Sequence, residues 1–223
     1  MKVLLRYEKG EPARWIGHLD LQRAFARALR RAGLPVSFSE GFNPRPRLAF
    51  ASALGVGVTG SGEAAMLTLS EPVGPDDVAC RLNAVLPRGL RVTGAEEVAV
   101  ADARAALSAF RAASYRVECE IGEGGSVQSV DDALRALLGS TEALVTRTRG
   151  GRSSPIEARR QIRRLAVAAG PCASARVVLE MELGMESEGS VRPAEVVGLL
   201  ALSVPGLLAR RIHRNALLVD PAG

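Results

Sequence analysis

The side chains able to do chemistry gather at three places in this 223-residue chain, and the first is the most unusual. It joins His18 and Asp20 to Arg23, Arg27 and Arg30, and then to the run Gly41-Phe-Asn-Pro-Arg-Pro-Arg47. In that run Pro44 and Pro46 stiffen the chain, Gly41 permits an unusual backbone, and Asn43 can bond its own loop. Arg45 and Arg47 share a face if the segment is extended, which would preset two guanidinium groups for a phosphate or carboxylate. His18 could stand beside such an anion as a general base. Two plainer readings stay open: a rigid hairpin with solvated arginines, and a helix start at which Asp20 meets the positive end of the helix dipole.

The second place holds Arg147, Arg149, Arg152, Arg159, Arg160, Arg163 and Arg164, with Glu157 the single acid among them. Charges this dense repel one another unless solvent or a polyanion relieves them, which favours nucleic acid over a small metabolite. The third is Arg210, Arg211, His213 and Arg214. From the first two places the expected anion- or RNA-binding set is His18, Asp20, Arg23, Arg27, Arg30, Asn43, Arg45, Arg47, Arg147, Arg149, Arg152, Arg160 and Arg163. The net charge is +5, and because Lys2 and Lys9 are the only lysines, the excess is almost wholly arginine. Arginine grips phosphate bidentately and stacks on bases, although a GC-rich genome would enrich it too.

Most catalytic arrangements are missing. His18 and His213 are the only histidines, and neither stands at metal-ligand spacing. Cys80, Cys119 and Cys172 are at least 39 positions apart and odd in number, which suits buried free thiols rather than a disulfide framework or a metal site. Gly55, Gly57, Gly60 and Gly62 lack the lysine of a phosphate-binding loop and read as a turn leading into a strand at Ala64. No catalytic residue, metal or cofactor is therefore expected. Aromatic residues make up 4% of the chain, so stacking of bases on an aromatic sheet has little support.

The elements that must position these residues follow from periodicity. Residues 2–8 read as a strand and 18–31 as a helix, with Leu21, Phe25, Ala28 and Leu29 on one face and the arginines opposite. Gly33 and Pro35 end that helix. Strands over 36–39, 48–54 and 64–70, a helix over 75–86 and a strand over 90–98 complete the order β-α-β-β-α-β. An alanine-rich stretch at 102–113 reads as a linker helix. A second half repeats the pattern: strands at 115–121, 143–148, 164–168, 176–183 and 210–219, helices at 130–138 and 194–202, and an exposed loop around Gly150, Gly151, Ser153, Ser154 and Pro155. The expected fold class is α+β: two tandem ferredoxin-like (βαββαβ) modules, antiparallel sheets with helices on one face, spanning 1–98 and 114–223 with the linker helix at 99–113.

The texts Trp15-Ile-Gly-His-Leu-Asp20, Arg27-Ala-Leu-Arg-Arg-Ala-Gly-Leu-Pro35, Ser39-Glu-Gly-Phe-Asn-Pro-Arg-Pro-Arg47 and Phe50-Ala-Ser-Ala-Leu-Gly55 together resemble the radical SAM-linked protein family. That domain is uncharacterised and occurs alone or appended to radical SAM enzymes. The resemblance is specific over residues 1–98 and thins after 110. A radical SAM catalyst needs three closely spaced cysteine thiolates for its cluster, and this chain has no such run.

The resemblance implies at most an accessory piece that serves a radical SAM enzyme. The arginines turn that into a non-catalytic protein that binds RNA or presents an RNA substrate, with an RNA-processing enzyme as the alternative partner. An accessory domain positioning a small anionic or peptide substrate is the alternative, and a metal-independent endoribonuclease using His18 and Arg45 is the third reading. No apolar run reaches the roughly 18 to 20 residues of a membrane span, and Arg6 interrupts any signal core, so a cytoplasmic location is expected.

Overall fold

The fold is mixed α+β with mostly antiparallel strand pairing. The computed structural model describes residues 1–149, 151–168, 175–186 and 189–219, and the side chains of all of these except Arg149 and Arg152. The chain divides into two compact units, Met1–Phe110 and Arg111–Gly223.

In the first unit β1 (Lys2–Lys9) pairs antiparallel with both β4 (Leu90–Val98) and β3 (Val58–Thr68), and β2 (Leu48–Phe50) pairs with β3. The strand order is β4-β1-β3-β2. Between these strands run α1 (His18–Arg31) and α2 (Pro75–Asn83). Alternation along β1 sends Val3, Leu5 and Tyr7 into one core. Leu21, Phe25, Ala28 and Leu29 of α1, at helical spacing, and Val78 and Leu82 of α2 pack against them. Gly33 closes α1 at a φ of 61°, a left-handed conformation that glycine enters without a Cβ clash.

The second unit contains β5 (Phe110–Glu120), α4 (Val127–Gly139), the hairpin β6 (Leu144–Arg149) and β7 (Arg152–Glu157), β8 (Ile162–Val167), β9 (Arg176–Gly184), α5 (Pro193–Ala201) and β10 (Leu208–Val219). Its main sheet runs β10-β5-β9-β8, and β6-β7 form a separate two-stranded sheet. Val117, Val130, Leu134, Leu179, Met181, Val196 and Leu200 build its core.

Several elements differ from expectation. The alanine-rich linker helix shrinks to α3 (Ala103–Ser108), and the chain turns into a strand at Phe110. Ala112 and Ala113 are fully buried and pair with Gly184 and Leu183, so sheet packing overrides alanine's helical preference. Of the loop expected around 150–155, Ser153, Ser154 and Pro155 lie in β7, with Thr148 opposite Ser153 and Thr146 opposite Pro155, and Gly150 lies outside the described residues. A proline survives there because a two-stranded ribbon leaves each strand an open edge. Strand β3 starts at Val58, not Ala64, and β2 stops at Phe50. Gly60 lies inside β3 because the Glu63 carboxylate folds over it and leaves no room for a Cβ. Cys119 is buried, but Cys80 is exposed on α2, against the expectation of buried thiols; Cys172 lies outside the described residues.

Candidate functional site

The most strongly built surface of the first unit surrounds the start of α1, and its foundation is a buried lysine. Lys9, 1% exposed at the end of β1, donates from Nζ to the carbonyls of Ile16 (2.9 Å) and Gly55 (3.1 Å). One ammonium group thus ties the segment before α1 to the segment before β3. The same two segments are stitched again: Gly57 N–H donates to Arg14 O, and Arg14 Nε donates to Gly57 O, both at 2.9 Å.

This double tie holds Trp15 in the open. The indole is 70% exposed, with the Arg14 guanidinium 4.8 Å from its ring centroid. Gly57, at φ 80°, lies near the ring, where an added Cβ would make ordinary contact with Trp15 Cζ3 at 3.6 Å. Leu19 (64%) and Val56 (62%) are exposed nearby. A Cβ placed on Gly17, the residue before α1, would touch Val56 at 3.6 Å and come within 3.9 Å of the Asp20 carboxylate. Asp20 pairs with Arg23 at 3.0 Å, both well exposed. Arg27 and Arg30 continue the exposed face of the helix.

His18 is only half open. Its ring stands edge-on to Phe50 at 5.4 Å, and Gln22 Nε2 lies 3.1 Å from His18 Nε2, which must then accept. Phe50 in turn meets Tyr7 and Phe25 edge to face, so His18 borders an aromatic cluster that continues into the core.

The Gly41–Arg47 loop feeds directly into β2, so about 10 Å of extended chain separates Arg47 from Phe50. It is a pinned loop. Ser39 N–H donates to Arg45 O (2.8 Å), Arg45 N–H donates to Ser39 Oγ (3.0 Å), and Phe38 bridges Pro46. The two arginines differ. Arg47 donates to Phe38 O and faces Glu40 at 3.9 Å, whereas the exposed Arg45 guanidinium takes no hydrogen bond or ion pair among the described residues. Asn43 is exposed, and Phe42, beside Gly41 at φ 112°, is the most exposed large apolar side chain described.

The second arginine concentration is arranged otherwise. Arg147 forks onto Glu195 (2.9 and 2.7 Å) and also donates to Ser190 O, with only about a fifth of either charged side chain exposed. Arg159 donates to Leu138 O and Ile162 O. Arg164 faces Glu182 at 3.9 Å, and Arg163 donates to Arg111 O. Arg160 is open apart from a long 3.9 Å approach to Glu157. The backbones of Arg149 and Arg152 pair at the hairpin end. Burial pushes the carboxyls of Glu157 and Glu195 up, but donors outweigh it. The N–H groups of Ala143, Arg160 and Arg159 hold Glu157 below its ordinary value, and Arg147 with the Arg192 N–H does the same for Glu195. Most of these arginines therefore serve the unit's own architecture.

Trp15, Phe42 and Lys9 are missing from the residues that spacing alone points to. For two of them the signal was rarity: Trp15 is the only tryptophan, directly before Ile-Gly-His-Leu-Asp, and Lys9 is one of two lysines, whereas Phe42 is one of five phenylalanines. Among the described residues no group of three or more His, Cys, Asp or Glu could hold a metal ion. No described helix is long and apolar enough to cross a membrane.

One family pattern covers residues 2–193, most of the chain. The chain belongs to the DUF2344 family. That family is described as an uncharacterised protein conserved in bacteria. No curated protein matches this DUF2344 sequence. Among solved structures it is similar to a Cbf5-Nop10-Gar1 complex, with a TM-score of 0.61 at 8% identity over 98% of this chain and 50% of that one. It is also similar to an H/ACA RNP bound to a substrate RNA containing 2'-deoxyuridine, with a TM-score of 0.56 at 8% identity over 98% of this chain and 49% of that one. The DUF2344 chain thus spans about half the length of the chains it matches, and at this identity the likeness concerns the fold.

Proposed function

We propose that this DUF2344 protein binds RNA through its first unit and acts as a non-catalytic accessory that presents RNA to a partner enzyme, of the radical SAM or another RNA-processing type. Each unit is read as a split β-α-β (ferredoxin-like) module, the second with the β6-β7 hairpin inserted. The observation that carries the reading is the contrast between the two arginine groups. In the first unit Arg27, Arg30 and Arg45 are exposed, as are Trp15 and Phe42, while in the second Arg147 and Arg159 are spent on internal partners. Exposed guanidinium groups without counter-charges are those that release counterions from a phosphate backbone on binding. The shared fold with an RNP that carries a substrate RNA supports the same reading.

His18 is given no catalytic part, because its ring packs on Phe50 and accepts from Gln22. Filter binding of the full chain to RNA over about 50 to 200 mM salt tests the proposal: several phosphate contacts should make log affinity fall steeply with log salt. Absent binding, or binding indifferent to salt, overturns it.

A further inference from the structure

Trp15 is an indole that the fold goes to some length to expose. Its backbone is held by the reciprocal Arg14–Gly57 hydrogen bonds and by Lys9 through Ile16 O, and its ring is backed by the Arg14 guanidinium and the bare backbone of Gly57. The cost of ordering the ring is therefore met before any ligand arrives. A large apolar ring 70% exposed to water loses the burial that would otherwise stabilise it, so its exposure calls for an occupant.

Charge and shape narrow the occupant. Leu19 and Val56 offer apolar contact, Asp20 offers acceptors, and the exposed Arg27 and Arg30 line the polar face of α1. A paired duplex keeps its base faces stacked on one another everywhere but at its two ends, so along its length it offers none to a side chain. An unpaired nucleotide has a free π face for the indole and edge N–H groups for a carboxylate, and Arg27 and Arg30, about 14 and 18 Å along α1 from His18, are placed for phosphates further along the same strand.

Resting on the RNA-binding reading above, we infer that the start of α1 is a stacking site for an unpaired nucleotide: the base lies on the Trp15 ring, its edge toward Asp20, and the protein recognises single-stranded rather than paired segments of its RNA.

Because Trp15 is the only tryptophan, its fluorescence reports on this site alone. The full chain is titrated with a single-stranded oligoribonucleotide and with the same sequence annealed into a blunt duplex, and affinities are measured for the native chain, Trp15→Ala and Trp15→Phe. The expected result is quenched emission with the single strand only, a roughly 5- to 100-fold affinity loss in Trp15→Ala, and partial rescue in Trp15→Phe. Trp15 lies on the surface, so both variants should keep the native unfolding transition. Equal affinity for both RNAs with unquenched emission overturns the inference while leaving RNA binding intact. Binding of neither RNA overturns both.

Discussion

At the scale of single residues, the first unit's surface depends on a group that touches no ligand. Lys9 carries its charge into a buried position and uses it to hold the Ile16 and Gly55 carbonyls, so its removal strips a donor from both acceptors at once. Leaving a buried acceptor unsatisfied costs about 1 to 3 kcal/mol; Ile16 is half-buried and Gly55 exposed, so the loss here falls toward the lower end for each. Lys9→Met is expected to lower the midpoint of thermal unfolding and, because the segments carrying Trp15 and Val56 come loose, to weaken single-stranded RNA binding as well. An unchanged melting curve would show that Lys9 does not anchor these segments. Lys9 was legible only as a rare residue at a strand end. Its role needs residues 16 and 55 brought to one point, and no spacing along the chain encodes that.

At the scale of elements, the β6-β7 hairpin is fastened to the start of α5 by one carboxylate. Glu195 accepts both prongs of Arg147 and the N–H of Arg192, which keeps its carboxyl below the ordinary range despite burial. Since the folded state holds this proton less tightly than the unfolded state, the stabilisation is complete above the ordinary Glu value of about 4.3 and is lost as pH falls through the lower folded value. Glu195→Ala should therefore cost about 1 to 3 kcal/mol in urea unfolding at pH 7, with the difference from the native chain shrinking toward pH 3. A difference that persists undiminished in acid would place the effect in packing instead. The pair was invisible in the sequence because 48 residues separate its members, so Arg147 read as one more member of a basic run.

At the scale of the whole molecule, burial divides the arginines into those held by internal partners and those left open, and the proposed RNA binding rests on the second set. Arg45→Ala removes an exposed guanidinium and should lower RNA affinity, reducing the salt slope by about 1, without changing stability. Arg147→Ala should do the reverse, destabilising the fold while leaving the salt slope as it was. The two variants, measured side by side for unfolding and RNA binding, test the division directly. Identical effects on RNA binding would mean that both concentrations face the same polyanion.

The sequence alone determined the local elements with strong periodicity. Helix α1 spans the residues its apolar spacing marks, β4 does likewise, and Gly33 ends α1 where its freedom at positive φ is needed. These features depend on neighbours two to four positions away, and such information is written in order along the chain. Tertiary structure decided the rest: the conversion of 110–113 into strand, the pairing of β7, and above all which arginines remain available. The Gly41–Arg47 run is a largely exposed loop, and only folding tied Arg47 to Phe38 and Glu40 while leaving Arg45 open. An arginine's availability depends on the carbonyls and carboxylates that packing places around it, and those come from distant parts of the chain.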